Sequence, residues 1–224
     1  RTFVTTDREA TVLMAPEGGA TAETMGNGVD AGFFDPEIIS APAGSGCSVV
    51  FVGAMNYYPN VDAVCWFAAN VFPEWKRRDP KASFLVVGRN PTAQIRQLGQ
   101  TEGIRVLGEV DDVRPFLAAA RAVVAPLRIA RGIQNKVLEA LAMGKSVIGS
   151  PQVADCFGAE PPYGLSRCES VEEYLEALAR LPTGAPVWDP GIRAAARRRF
   201  SWEANLQALQ AAIEPLANRY TVTR

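Results

Sequence analysis

Lys136 and Glu139 are the first residues whose chemical types and spacing suggest a site. They stand three residues apart in segment 133–143, whose apolar periodicity predicts a helix, so they share one face near its N-terminal end. A lysine can bind a phosphate, and a carboxylate can accept two hydrogen bonds from the diol of a ribose. The alternative is an ordinary exposed Lys–Glu pair in the first turn of a helix. Spacing alone favours that alternative.

The elements around this pair are predicted to form one strand–helix–strand unit. An apolar strand at 122–125 precedes the helix, Gly144 ends the helix, and a second apolar strand follows at 146–149. Short uninterrupted apolar runs are typical of parallel strands that are buried on both faces of a sheet. The unit therefore predicts a parallel sheet.

The polar loop 127–135 of this unit is the predicted position of a ligand. In open parallel sheets, ligands bind beyond the carboxyl ends of the strands. The helix that follows the loop presents unpaired N–H groups and the positive end of its dipole, which suit a phosphate. The candidate binding residues of this loop are Arg128, Arg131, Gly132, Ile133, Gln134 and Asn135.

The rest of the chain repeats the same alternation of strands and helices. Further strands are predicted at 47–53, 83–88 and 104–107, and a strand end at 3–6. Helices are predicted at 7–14, 61–77, 92–98, 113–119, 171–181, around 193–199 and from 201 to about 218, whereas 151–162 is expected to be irregular. This order predicts an α/β fold with a doubly wound parallel sheet.

Composition excludes several classes of function. The chain has 224 residues, 48% hydrophobic and 21% charged, with a net charge of −1, which is typical of a globular protein and not of a nucleic-acid-binding one. It contains no histidine, so histidine triads, relays and metal sites are excluded within it. The scattered cysteines are interpreted as free thiols in a reducing cytoplasm. Asp111 and Asp112 are expected to start a helix and not to bind a metal.

Segment 132–144, GIQNKVLEALAMG, resembles the nucleotide-sugar segment of the retaining group 4 glycosyltransferases of GT-B fold. Among these it is most similar to the sugar transferases of exopolysaccharide and exosortase systems. The resemblance implies that Glu139 holds the donor ribose. It also implies a first glutamate, which usually touches the donor sugar, at a position where this sequence has Arg131. The candidate catalytic residues are therefore Glu139, Lys136 and Arg131.

A second motif, GAMNYYPN at 53–60, resembles the same subgroup. Many relatives hold the diphosphate with arginine and lysine in this loop, and this sequence has neither there. Gly53 and Asn56 remain as candidate ligand contacts, with Arg89 after the next strand as a candidate anion contact and Val110 as a candidate neighbour of the base. An ordinary turn glycine and a solvated arginine are the alternatives for Gly53 and Arg89. The resemblance implies no metal.

The resemblance also implies a domain organisation. NGVD at 27–30 resembles the motif that closes the first domain of GT-B enzymes, and FSWE at 200–203 resembles the start of their last helix. Residues 1–25 are then expected to be the tail of an N-terminal acceptor domain, and 26–46 an interdomain linker. Residues 47–200 would be the nucleotide-sugar domain, and 201–224 a helix that crosses back. The basic run 193–199 is expected to be a solvated helix face, with contact to anionic lipid as the alternative.

These expectations predict a retaining transferase domain that uses a UDP- or GDP-linked sugar as substrate and no cofactor. The acceptor would be lipid-linked or a nascent polysaccharide of the cell envelope, and the location would be cytoplasmic, peripheral at the inner membrane. The chain alone is expected to bind nucleotide and to turn over little. A non-catalytic nucleotide-binding or scaffold module, which Arg131 favours, and a nucleotide-sugar epimerase are the alternatives.

Overall fold

The computed structural model describes residues 2–4, 22–24, 26–41, 46–182, 184 and 188–220. Its strands are β1 (Thr2–Val4), β2 (Ala22–Thr24), β3 (Cys47–Val52), β4 (Phe84–Val87), β5 (Ile104–Leu107), β6 (Ala120–Ala125), β7 (Ser146–Gly149) and β8 (Leu165–Arg167). Its helices are α1 (Tyr58–Asn70), α2 (Phe72–Arg78), α3 (Ala93–Leu98), α4 (Arg114–Ala119), α5 (Asn135–Ala142), α6 (Pro151–Ala154), α7 (Val171–Ala179), α8 (Pro190–Phe200) and α9 (Trp202–Tyr220), with a 3-10 turn at Asp155–Phe157.

The six strands β3 to β8 form one sheet in which every neighbouring pair is parallel, in the order β5-β4-β3-β6-β7-β8. From β3 the chain moves outward through β4 to β5, then returns to place β6 on the other side of β3, and moves outward again through β7 and β8. This is the order of a Rossmann-like doubly wound sheet, and the prediction of that fold is confirmed. The direction of winding reverses between β3 and β6, which is where such sheets bind ligands. β1 and β2 pair in a separate two-stranded parallel sheet.

The central strands are buried on both faces, which explains their continuous apolar sequences. Every side chain of β4 is buried, and Phe84 packs against Phe67 of α1 with ring centroids 4.9 Å apart. Burying a side chain of this size stabilises the fold by about 1.5–3 kcal/mol. β8 was not predicted. Only Leu165 of its three residues is buried, so it leaves no apolar run in the sequence.

Two other predicted elements were wrong in extent. The helix expected at 61–77 is two helices, α1 and α2, separated at Val71. Pro73, which has no N–H to donate, lies in the first turn of α2. Residues 151–157, expected to be irregular, form α6 and the 3-10 turn because the Ser150 hydroxyl caps α6 by accepting a hydrogen bond from Val153 N.

Several local predictions are confirmed within one or two residues. The helices predicted at 92–98 and 171–181 are α3 and α7, and the side-chain oxygens of Thr92 and Ser170 cap them. The Asp112 carboxylate accepts a hydrogen bond from Arg114 N at the start of α4. Cys65 and Cys168 form no disulfide among the described residues. The helix predicted at 7–14 lies outside the described residues.

Residues 26–35, predicted as part of a linker, pack against the end of this domain. Val29 is buried, and its N–H donates to Phe200 O at 2.7 Å. The buried Arg193 guanidinium of α8 donates to the carbonyls of Ala31, Phe34 and Ala142 and forms an ion pair with Asp35 at 2.8 Å. Whether residues 26–46 also join two domains stays a prediction.

Candidate functional site at the sheet switch point

Lys136 and the turn after β3 meet at the point where the sheet reverses direction. Lys136 Nζ donates to Asn60 Oδ1 at 2.6 Å, and Asn60 Nδ2 donates in turn to Ala54 O at 3.0 Å. A Cβ at Gly53 would lie 2.9 Å from Lys136 Nζ and 2.7 Å from Asn60 Nδ2, so a larger residue there would displace these side chains. The protein's own side chains thus lie close to Gly53, and its role as a ligand contact stays a prediction.

The ammonium group of Lys136 is held in a desolvated position without a carboxylate partner. It lies 4.1 Å from the centroid of the Phe51 ring, and no carboxylate of the described residues forms an ion pair with it. Burial lowers the pKa of Lys136 to about 7, and the negative charge of Glu139 opposes this only in part. A positive charge in such a place favours the binding of an anion.

Glu139 follows Lys136 by one helical turn and lies in the same partly desolvated region. Burial raises the pKa of its carboxyl group, and the neighbouring Lys136 counteracts this. Within the described part of the chain no group donates a hydrogen bond to this carboxylate, so both its oxygens remain available as acceptors. The structure therefore brings Lys136 and Glu139 together, as the spacing predicted.

The N-terminus of α5 is open. Its N-cap residue, Gln134, makes no side-chain capping bond, and the first turn contains neither proline nor an acidic residue. The other described helices of eight or more residues each have a side-chain cap or a proline there. The N–H groups of Gln134, Asn135 and Lys136 find no acceptor among the described residues. These donors and the helix dipole make the N-terminus of α5 suitable for binding an anion.

The loop that leads into α5 is shaped by its own backbone. Gly132 adopts a φ of +73°, and the side-chain amide of Gln134 folds back to donate to Gly132 O at 3.1 Å. Ile133 is partly buried and packs against the core. The helix begins at Asn135, two residues later than predicted, because the chain turns at Gly132.

The arginines predicted to lie at the site differ in their surroundings. Arg128 forms an ion pair with Asp62 of α1, with Nε donating to Oδ2 at 2.9 Å, so its charge is already compensated. Arg131 and Arg89 are exposed, and neither forms an ion pair with a described residue. The Arg89 carbonyl accepts a hydrogen bond from Met55 N at 2.8 Å, which joins the turn after β4 to the turn after β3.

The two remaining candidates lie in other loops, after β3 and after β5. Asn56 is exposed in the turn after β3, and Val110 is partly buried beyond the end of β5. Neither makes a described contact with α5. Their roles as contacts to a ligand stay predictions.

Sequence reasoning missed three residues that shape the site. Asn60 and Asp62 hold the side chains of Lys136 and Arg128, and Asn27 reaches the start of α5. The conspicuous Pro-Asn of the 53–60 motif was the one available signal for Asn60. The contacts themselves join residues 76, 66 and 108 positions apart, and no local pattern reports such contacts.

A family model described as "Glycosyl transferases group 1" matches residues 46–182, more than half of the chain. The chain belongs to this family. No curated protein matches the chain in sequence. Known structures match its fold at low identity, so they bear on the fold alone.

Three such structures illustrate the match to GT-B glycosyltransferases. Anabaena HepE in complex with UDP and glucose has a TM-score of 0.67 and 14% identity over 95% of this chain and 62% of its own. Sucrose-phosphate synthase of Thermosynechococcus elongatus has a TM-score of 0.66 and 17% identity over 96% of this chain and 58% of its own. A glycosyltransferase of Rickettsia africae has a TM-score of 0.71 and 14% identity over 96% of this chain and 63% of its own. The chain thus spans about 60% of the length of these proteins.

The described residues contain neither a metal-binding cluster nor a membrane-spanning helix. The described residues contain no cluster of three or more acidic, cysteine or histidine side chains suited to a metal ion. No described helix is both long and apolar enough to cross a membrane.

Proposed function

We propose that this chain is the donor-binding part of a retaining glycosyltransferase that uses a nucleotide-diphosphate sugar. The observation that carries the proposal lies at the switch point of the sheet. There the open N-terminus of α5 is combined with the ammonium of Lys136, which forms no ion pair with a described carboxylate. Both favour the same chemical group, a diphosphate. The UDP bound to Anabaena HepE supports this class of ligand.

The site would act on the leaving group. As the bond between the sugar and the diphosphate breaks, negative charge grows on the phosphate oxygens. The N–H groups of Gln134 and Asn135, with protonated Lys136, would face such a charge, and preorganised donors lower the barrier of charge-forming steps. Glu139 would accept the ribose hydroxyls and so hold the donor in its reactive orientation. These side chains and the helix dipole would take the place of a metal ion.

The finer features of the proposal rest on the sequence resemblance. They are a UDP- or GDP-linked donor without a further cofactor, retention of configuration, a lipid-linked or polysaccharide acceptor of the cell envelope, and a place at the cytoplasmic side of the inner membrane. The acceptor and any base that activates it would be held by an N-terminal domain. We therefore expect the isolated chain to bind the donor and to show little or no transfer.

Thermal unfolding tests the donor site. The chain is unfolded with UDP, GDP, ADP and the matching nucleotide sugars, and the series is repeated with Glu139→Ala and with Glu214→Ala, an exposed glutamate of α9 that serves as control. A ligand at about one hundred times its dissociation constant adds roughly 2.7 kcal/mol, which raises the unfolding temperature by about 5–10 °C. We expect one base to give this shift, Glu139→Ala to abolish it, and Glu214→Ala to retain it. The proposal fails if no ligand shifts the wild-type chain.

Arg131 favours a second candidate, a nucleotide-binding module without transferase activity. It is exposed in the loop before α5, at the position where the resemblance implies a glutamate that touches the sugar. Transfer activity of a protein that contains an acceptor domain together with this chain separates the two candidates. Activity that is lost in Glu139→Ala supports the enzyme, whereas nucleotide binding without any activity supports the module.

A further inference from the structure

Three asparagines connect the last helix to the start of α5. Asn205, in the first turn of α9, donates through Nδ2 to the carbonyl of Asn27 at 3.3 Å. Asn27 in turn donates through its own Nδ2 to Asn135 Oδ1 at 3.0 Å and to the Ile133 carbonyl at 3.4 Å. A chain of hydrogen bonds therefore runs from α9, through residue 27, to the first residue of α5.

This chain of bonds fixes the orientation of the Asn135 amide. The Ile133 carbonyl can only accept, so the nitrogen of the Asn27 amide must face it. The same nitrogen faces Asn135, so the Asn135 atom that meets it must be the oxygen. The NH2 group of Asn135 is then left at the open end of α5, and no described residue accepts a hydrogen bond from it. Its two protons add donors to the N–H groups already at that end.

The backbone that follows Asn27 is held against the start of α9, which limits how far the Asn27 side chain can move away. Gly28 lies flat against the ring of Trp202, where a Cβ would come within 2.4 Å of ring carbons. Val29 pairs with Ser201 in a parallel bridge, and its N–H donates to Phe200 O. Residues 27–29 are therefore attached to the start of α9 and would move with it.

We propose that Asn27 is a positioning residue that turns the NH2 group of Asn135 toward the phosphate of the donor and ties that orientation to the start of α9. The inference rests on the proposed function, because it needs a diphosphate at α5. Asn27 itself does not touch the ligand. Its effect on affinity must therefore pass through Asn135.

A double-mutant cycle tests this dependence. The dissociation constants of UDP, GDP and ADP are measured by calorimetry for the wild-type chain, Asn27→Ala, Asn135→Ala and the double variant. Losing a hydrogen bond to a charged phosphate costs about tenfold in affinity, so we expect each single variant to bind about ten times more weakly. We expect the double variant to bind no more weakly than Asn135→Ala alone. A residue that only supports the fold would add its effect in both backgrounds.

Controls separate positioning from folding. Asn70→Ala removes an exposed asparagine that bonds only within α1, and it should leave the affinity unchanged. Urea unfolding shows whether each variant is folded, and Asn27→Ser replaces Asn27→Ala in the cycle if the alanine variant is not. The inference is overturned if the variant at position 27 binds within about twofold of wild type, or if its effect persists in full when Asn135 is alanine. If the wild-type chain binds none of the three nucleotides, the proposed function itself fails, and the inference fails with it.

Discussion

Binding of a nucleotide sugar to this site should take up a proton at Lys136. In the free protein the pKa of Lys136 is lowered to about 7 by burial, so at pH 8 roughly one molecule in ten carries the charge. A bound diphosphate would favour the charged form and raise this pKa again. If only the charged form binds well, the dissociation constant rises about tenfold from pH 6 to pH 8 and about a hundredfold from pH 6 to pH 9.

Calorimetry at several pH values measures this linkage. A nucleotide sugar is the better ligand, because its diphosphate is esterified at both ends, whereas the terminal phosphate of a free nucleotide titrates near pH 6. In buffers of different ionisation enthalpy we expect uptake of about 0.9 proton per ligand at pH 8 and about 0.1 at pH 6. Lys136→Arg keeps the charge at every pH and should remove the dependence. Equal affinity at pH 6 and pH 9, with no proton uptake at pH 8, would refute the assignment.

Three further predictions concern stability. In the folded state the pKa of Lys136 is lowered from 10.5 to about 7, so the ionised amine costs stability that is regained as the pH rises from 7 to 10.5. In urea unfolding, Lys136→Met should therefore be more stable than wild type by up to about 5 kcal/mol at pH 6 and by about 2 kcal/mol at pH 9. A stability difference that does not shrink as the pH rises contradicts this origin. Gly53→Ala should destabilise the chain by about 1–3 kcal/mol and weaken nucleotide binding, because the new Cβ displaces Lys136 Nζ. Unchanged nucleotide affinity would show that binding does not need this position of Lys136. Arg193→Ala should lower the free energy of unfolding in urea by about 3–5 kcal/mol, because three carbonyls and Asp35 lose their buried partner. As a control, Arg198→Ala removes an exposed arginine of the same helix and should change that free energy by no more than about 0.5 kcal/mol.

Strands of the sheet were predictable where their burial requires a run of apolar residues in the sequence. β7 has the predicted bounds, and three of its four residues are buried, whereas β5 has them although only Ile104 of its four residues is buried. β8 buries one side chain and left no such run. The break between α1 and α2 depends on Pro73, whose position is visible in the sequence but whose effect was masked by a continuous amphipathic pattern.

For the site, the sequence alone determined what lies within one helix. Lys136 and Glu139 share a face because helical spacing is local, and the glycine at 144 ends that helix for the same reason. The order of strands and helices was likewise enough to indicate a doubly wound sheet. These properties depend on residues a few positions apart.

Only the tertiary structure decided how the ends of β3 and β6 meet. Pairing of these strands brings Asn60 to Lys136 across 76 residues, Asp62 to Arg128 across 66, and the packing of residues 26–29 brings Asn27 to Asn135 across 108. The lowered pKa of Lys136 follows from the burial that this assembly creates. Desolvation and partner choice are properties of groups that are distant in the chain, so they arise only when the sheet has formed.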